Sequence, residues 1–384
     1  MHILFVEPKY PNIAGDQGGA GTYVRNVGLE LIKRGHKVSV LRGGSHLIEN
    51  GFRIDQGINV YSQKITSYLA WYICQTPVIN KLFFPLMQYL IHGLHKYNFI
   101  NKINKKDRID IIEYSSNGDF WQCIFKSIPY IVHLHGSGNT LKLFLTGKIS
   151  IGDKLWNRFE CFFYTRAKVV FSPSLWMLKR VENEIRGKYQ NSHVLKYPIS
   201  KLTNINSFQN IGSEKIKFLM AARNDETKGW YQLLKAIYLL NKGYLAKSKF
   251  VFYGFKPRGN IIIPENVQIH SFTKRSDVLV ALNTADVAIV PSWVDNSPNT
   301  IYEAMSFSKP VIGSNLAGIP ELIHHKKTGL LINPFDHHEL SKAIIYMINH
   351  PRKVKEFGEN AFKYITSNCS IEKNVDYRLQ YWSK

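Results

Sequence analysis

The sequence predicts an α/β protein built from two successive parallel-sheet domains. Short apolar runs alternate with helix-like segments from end to end, the rhythm of parallel strands joined by helical crossovers. That rhythm breaks once, at the polar, Asn- and Ser-rich stretch SKLTNINSFQNIGS, and then restarts. A chain of 384 residues also exceeds one core, at about 150 residues per domain.

Residues 2–6 read as the first strand, 23–34 as a helix closed by Gly35, and 37–41 as the next strand, with further strands at 109–114, 130–135 and 169–171. After the break come a strand at 217–220, a helix at 230–241, and strands at 250–253, 287–291, 310–312 and 330–332. Helical stretches follow from His337 onward. The expected organisation is an N-terminal domain over 1–198, a linker over 199–213, a C-terminal domain over 214–368, and a helix within 369–384 returning to the first domain.

Composition narrows the class. With 45% hydrophobic and 20% charged residues the chain reads as globular, neither disordered nor fibrous. Cys74, Cys123, Cys161 and Cys369 form no CxxC pair, so neither a zinc site nor a disulfide framework is indicated. The start, MHILFVEPKY, lacks the basic lead and longer apolar core of a secretory signal. KLFFPLMQYLIHGL, interrupted by Pro85, Gln88 and His92, falls short of the roughly 20 apolar residues that span a bilayer. The expectation is a cytoplasmic protein. Its formal charge of +22 predicts attraction to an anion: nucleic acid, a phosphate-bearing small molecule or an acidic membrane face.

Four segments carry candidate chemistry. In PSWVDNSPNTIYEAMSFSKPVIGS a strand gives way to a helix, with Ser297 as the expected N-cap and Pro298 as the first helical residue. The free N–H groups of Asn299, Thr300 and Ile301 would then form an anion site reinforced by the helix dipole. Glu303 shares a face with Asn299 and Thr300. A carboxylate there would repel phosphate unless it had another task, such as accepting hydrogen bonds from sugar hydroxyls; a solvated surface acid is the alternative on local physics. In FLMAARNDETKGWYQLLKA, Arg223 and Lys228 follow a strand, at the sheet edge where α/β proteins bind ligands, and two cations there suit a diphosphate. Solvated surface cations are the alternative.

In AGDQGGAGTYVRNVGLELIKRGHKVSV, Gly15, Gly18, Gly19 and Gly21 permit close backbone approach before a helix N-terminus, although no GxGxxG spacing is present. In YIVHLHGSGN, His133 and His135 fall on one side of an extended strand. No third ligand stands nearby, so a metal is not indicated. His133 reads as core and His135 as the exposed member.

The first of these stretches resembles glycosyltransferase family 4, whose signature is an acid, seven residues and a Glu, followed by Ala-Met and a Lys-Pro-Val turn. Asp295 and Glu303 match the two acids, and EAM, KPVIGS and AGIPELI follow in order. Asp295 stands where Glu is usual, and Ser308 where Gly is usual. The resemblance extends to Arg223, Lys228 and Gly229, with Ala222 where Gly is frequent, and to the glycine loop and RGHKVSV of the first domain; residues 48–127 carry no matching motif.

The resemblance implies a GT-B architecture, two Rossmann-like domains facing a cleft, and transfer of a hexose-type sugar from a UDP- or GDP-linked donor with retention of configuration. It implies donor ribose on Glu303, donor sugar near Asp295 and His135, diphosphate on Arg223 and Lys228, and an approach by Gly18 and Gly19. Ser297, Asn299, Thr300 and Ile301 complete the expected donor site. No DxD motif is present, so no metal or other cofactor is expected; the nucleotide sugar is a co-substrate. A glycan or lipid-linked acceptor is implied, in cell-surface polysaccharide or lipopolysaccharide synthesis.

Aromatics Trp71, Tyr72, Phe83, Phe84 and Tyr89 among Lys81, Lys96, Lys102, Lys105 and Lys106 suggest either a helix on an anionic membrane or a core helix with a basic outer face. Two rivals remain: a nucleotide-sugar epimerase on the same fold, and a basic nucleic-acid-binding protein. The second fits poorly, since Lys and Arg are dispersed and no nucleic-acid-binding signature occurs.

Overall fold

A computed structural model describes residues 1–11, 19–44, 50–65, 77–116, 120–125, 127–136, 142, 147–185, 187–199, 215–271 and 274–383. They form two compact units, Met1–Pro198 with Ile371–Lys384, and Ile199–Ser370.

Among the described residues the first unit carries an eight-stranded sheet of β1 (His2–Val6), β2 (Lys37–Gly44), β3 (Gly51–Asp55), β4 (Ile58–Lys64), β5 (Ile111–Ser115), β6 (Tyr130–His133), β7 (Val170–Ser172) and β8 (Ser192–Val194). Spatial order is β3-β4-β2-β1-β5-β6-β7-β8, and every neighbouring pair is parallel except β3 with β4. Helices α1 (Gly19–Lys33), α2 (Pro77–Lys106), α3 (Phe120–Phe125), α4 (Ile151–Thr165) and α5 (Leu175–Ile185) accompany it.

The central strands are covered on both faces, so β1 reads HILFV with all five residues buried, a continuous apolar run and not an alternation. Helix α1 turns Tyr23, Val24, Val27 and Leu31 to the core at helical spacing. Ser150 and Asp153 cap α4 reciprocally, the Asp153 N–H donating to Ser150 Oγ at 3.1 Å and the Ser150 N–H to Asp153 Oδ2 at 2.8 Å.

Two outcomes differ from the sequence expectation, and a third decides an open alternative for one residue. The strand expected over 130–135 ends at His133. The β3-β4 hairpin turns on Gln56 and Gly57, both at positive φ, a primed turn without the Asn-Gly signal that would have announced it. Tyr89 of α2 is buried against Trp156, ring centroids 4.9 Å apart, so it belongs to the core and is not an exposed membrane anchor. Trp71 and Tyr72 lie outside the described residues, as do the side chains of Lys81, Phe83 and Phe84.

The second unit carries β9 (Ile216–Ala221), α6 (Trp230–Tyr238), α7 (Lys242–Ala246), β10 (Ser248–Tyr253), β11 (Val267–His270), α8 (Arg275–Thr284), β12 (Val287–Val290), α9 (Asn299–Ser306), β13 (Val311–Ser314), β14 (Gly329–Ile332), α10 (His337–Asn349) and α11 (Pro351–Asn368). Its six strands run parallel in the order β11-β10-β9-β12-β13-β14. Strand β11 and helix α8 were not anticipated. Of the stretch 199–213 only Ile199 is described, its N–H donating to the Cys369 carbonyl at 2.8 Å.

The last helix, α12 (Ile371–Trp382), packs in the first unit. Its Arg378 and the Glu113 of β5 are both fully buried, Nη1 donating to Oε2 at 2.7 Å. A buried charge is tolerated only when paired and hydrogen-bonded. Arg378 meets that demand by also donating from Nε to Asn374 Oδ1 at 2.9 Å, with its guanidinium 5.0 Å from the ring centroids of Tyr23 and Phe171.

Candidate functional site

In an open parallel sheet the strand order reverses at one point, and the crevice outside the carboxyl ends there is where ligands bind. In the second unit the reversal falls between β9 and β12, which places the loops Ala222–Gly229 and Pro291–Pro298 side by side. Of the residues expected at the donor site, Arg223, Lys228, Asp295, Ser297, Asn299, Thr300, Ile301 and Glu303 belong to these loops and to the helix that follows.

The two loops are locked together. The Trp293 N–H donates to the Thr227 carbonyl at 2.8 Å, and Thr300 Oγ1 to the Ala221 carbonyl at 3.1 Å. Gly229 has φ +82°, and a Cβ there would stand 2.3 Å from the Pro291 carbonyl oxygen, so only glycine lets the first loop lie this close to the second. The indole of buried Trp230 donates to the Arg223 carbonyl at 2.9 Å and stacks on Phe255, fixing the backbone of an exposed arginine. Asp225 caps the short turn Glu226–Lys228 by accepting the Thr227 N–H at 2.9 Å. This arrangement delivers Lys228 to Asp295, Nζ to Oδ2 at 2.6 Å, and the Asp295 carbonyl is itself held by the Gly318 N–H at 3.0 Å.

The helix N-terminus is corrected in two respects. Pro298 is the N-cap and Asn299 the first helical residue; Ser297 lies one position earlier, its hydroxyl 2.7 Å from the Tyr302 hydroxyl and so not capping. The Ile301 N–H donates to the Pro298 carbonyl at 3.0 Å, which removes it from the expected set of free donors. The short helix NTIYEAMS buries Ile301, Tyr302, Ala304 and Met305 and leaves the Glu303 side chain 15% exposed.

Glu303 has a partner the sequence did not reveal. Arg275, the first residue of α8, places Nη2 2.6 Å from Glu303 Oε1. Burial pushes the Glu303 carboxyl above its ordinary range, and Arg275 opposes the shift. The two belong to separate elements with no local motif linking them, and the preceding Phe272 and Thr273 lie outside the described residues.

In the first unit the order reverses between β1 and β5, next to α1. Gly21 of α1 comes so close to the turn after β1 that a Cβ would stand 2.0 Å from the Lys9 carbonyl oxygen. Gly19 opens the helix; Gly15 and Gly18 lie outside the described residues. His135 sits just past β6, half-buried, with its N–H donating to Ser116 Oγ at 2.9 Å and its Nδ1 2.5 Å from the Tyr197 hydroxyl.

The His135 ring stacks on fully buried His133, 4.5 Å between centroids and 13° between planes. Arginine can only donate, so Arg378 Nη2, 2.9 Å from His133 Nδ1, fixes that nitrogen as the acceptor. Burial pushes both histidines well below their ordinary range, and Arg378 adds to the effect on each.

Among the described residues no group of three or more His, Cys, Asp or Glu side chains is placed to hold a metal ion, and no helix is long and apolar enough to cross a membrane.

Two parallel-sheet units, one with cations and a helix N-terminus at its switch point, describe the GT-B class of glycosyltransferases. Comparison with known proteins agrees. Residues 17–196 match the family model "Glycosyltransferase Family 4" and residues 203–364 match "Glycosyl transferases group 1". The chain belongs to these group 1 and family 4 glycosyltransferases.

An uncharacterized glycosyltransferase of Haemophilus influenzae is 20% identical over 94% of this chain and 95% of its own. Trehalose synthase of Pyrococcus horikoshii is 26% identical over 156 residues, 41% of this chain but only 33% of that enzyme's length. Among solved structures, sucrose-phosphate synthase from Thermosynechococcus elongatus superposes with a TM-score of 0.78 at 16% identity, covering 100% of this chain and 98% of the other. HepE of Anabaena in complex with UDP-glucose gives 0.70 at 16% identity, covering 100% and 99%. These structural likenesses establish the fold.

Proposed function

We propose that the protein transfers a hexose from a UDP- or GDP-linked donor to a glycan or lipid-linked acceptor, with retention of anomeric configuration and without a metal. The observation that carries this reading is the convergence of Arg223, Lys228 and the N-terminus of α9 at the switch point of the second sheet. Breaking a glycosidic bond to phosphate develops negative charge on the departing diphosphate. Donors and cations fixed in advance around it lower that barrier without having to reorganise.

In this reading Arg223 grips the diphosphate by a forked contact and Lys228 as a point charge. The Asn299 and Thr300 N–H groups add the positive end of the helix. Glu303 accepts from the ribose hydroxyls, and Asp295, held by Lys228, meets the sugar. His135 serves as a neutral polar group toward the transferred sugar. The acceptor hydroxyl passes its proton to the leaving phosphate on the same face, so no protein nucleophile is required.

HepE is seen with UDP-glucose, which favours a UDP-linked hexose. The charge of +22 supports an acceptor presented at an acidic membrane face, in keeping with a place in surface polysaccharide or lipopolysaccharide synthesis.

Melting curves of the protein with UDP, GDP and their sugar conjugates test the reading, because a ligand bound only by the folded state raises the melting temperature with its affinity. One nucleotide series should raise it by several degrees. If none of these ligands moved it, the donor assignment would fall.

A further inference from the structure

We propose that Arg275 is a positioning residue of the nucleotide site, clamping Oε1 of Glu303 so that the carboxylate is held as a two-point acceptor for the nucleoside ribose. This rests on the reading of Glu303 as the ribose acceptor.

A vicinal diol offers two O–H donors, and an ionised carboxylate accepts one on each oxygen, whereas a protonated carboxyl turns one oxygen into a donor and accepts more weakly. Glu303 is poorly placed to stay ionised by itself: it is largely buried, and desolvation favours its neutral form. One cation offsets this. Arg275 stands 2.6 Å from Oε1, and no other described residue reaches the carboxylate.

Arg275 is the charge that acts on the Glu303 carboxyl; Arg223, in the loop after β9, is exposed, and other charges around α9 are engaged elsewhere. Asp277 of α8 accepts from the Lys274 N–H and caps its own helix. Lys228 is held by Asp295. On α11, Lys353 pairs with Glu356 within the helix, and none of the charged residues from Arg352 to Lys363 acts on Glu303. Helix α9 carries no second charge, and β12 and β13 carry none. Arg275 is 28% exposed, so its long side chain can hold Oε1 from the solvent side.

The test compares binding of UDP and GDP with that of their 2′-deoxy counterparts, by calorimetry at pH 6 and pH 8, in the wild type, Arg275→Met, Arg275→Lys and Glu303→Gln. The ratio of ribo to deoxy affinity reads the diol contact alone, because protonation of the diphosphate cancels between the pair. The wild type should prefer the ribonucleotide by about tenfold at both pH values. Arg275→Met should keep most of that preference at pH 8 and lose about fivefold of it at pH 6; Arg275→Lys should follow the wild type, and Glu303→Gln should lose the preference at both. An Arg275→Met ratio equal to the wild type's at both pH values would overturn the clamp while leaving the ribose reading intact. A wild type that binds ribo and deoxy forms equally would overturn the ribose reading, and the clamp with it.

Discussion

Lys228 Nζ lies 2.6 Å from Asp295 Oδ2, an ion pair that joins the loop after β9 to the loop after β12. The sequence assigned these residues separate tasks, one to phosphate and one to sugar. Their pairing means that a diphosphate entering the crevice competes with Asp295 for the same ammonium. Asp295→Asn should therefore tighten binding of the bare nucleoside diphosphate by up to about fivefold, the scale of a partly exposed ion pair, while lowering sugar transfer. Calorimetry checks the first half, and weaker binding in the variant would count against shared use of Lys228.

Gly229 is the hinge of that arrangement. With φ +82° and a Cβ that would meet the Pro291 carbonyl oxygen at 2.3 Å, Gly229→Ala should cost about 1–2 kcal/mol from backbone conformation alone, and more from the clash. Urea denaturation measures it. Nucleotide affinity should fall in the same variant, because relieving the clash moves Lys228.

Arg378 and Glu113 are 265 positions apart and both fully buried. Removing one partner leaves a buried uncompensated charge, so Arg378→Met should destabilise the first unit by about 3–5 kcal/mol. Arg378→Met with Glu113→Leu should recover part of that loss. Chemical denaturation of the two variants tells a paired charge from mere loss of packing.

Stability should fall on acidification. His133 and His135 have folded-state pKa values depressed by burial, whereas in the unfolded chain they titrate near 6.5. Above about pH 6.5 both states hold neutral rings and the contribution is complete. Below it the unfolded chain takes up protons the folded one refuses, which costs up to about 1.4 kcal/mol per pH unit for each histidine. His135→Asn should remove roughly half of that extra slope in denaturation midpoints measured between pH 6.5 and 5.5.

Much of the fold is legible in the sequence because central strands such as HILFV are apolar on both faces and announce themselves. The edge hairpin does not: GFRID and INVYSQK are half-exposed, and their Gln-Gly turn lacks the usual signature. The loops carrying Arg223, Lys228 and Asp295 were readable from their place after strands. Partners drawn from distant elements were not, since nothing local joins Arg275 to Glu303 or Arg378 to Glu113. Ser297 shows the same limit in miniature: a good capping residue by type, it is drawn away by the Tyr302 hydroxyl, and Pro298 takes the cap position.

The central claim is that the crevice between β9 and β12 holds a nucleotide sugar through Arg223 and Lys228. Steady-state transfer from the donor identified by melting, measured in Arg223→Ala and Lys228→Ala, tests it most directly. Each substitution should lower kcat/KM by about 10²–10³, the loss expected when a fixed charge donor is removed from a transition state. Turnover within a factor of two of the wild type in both variants would contradict the claim.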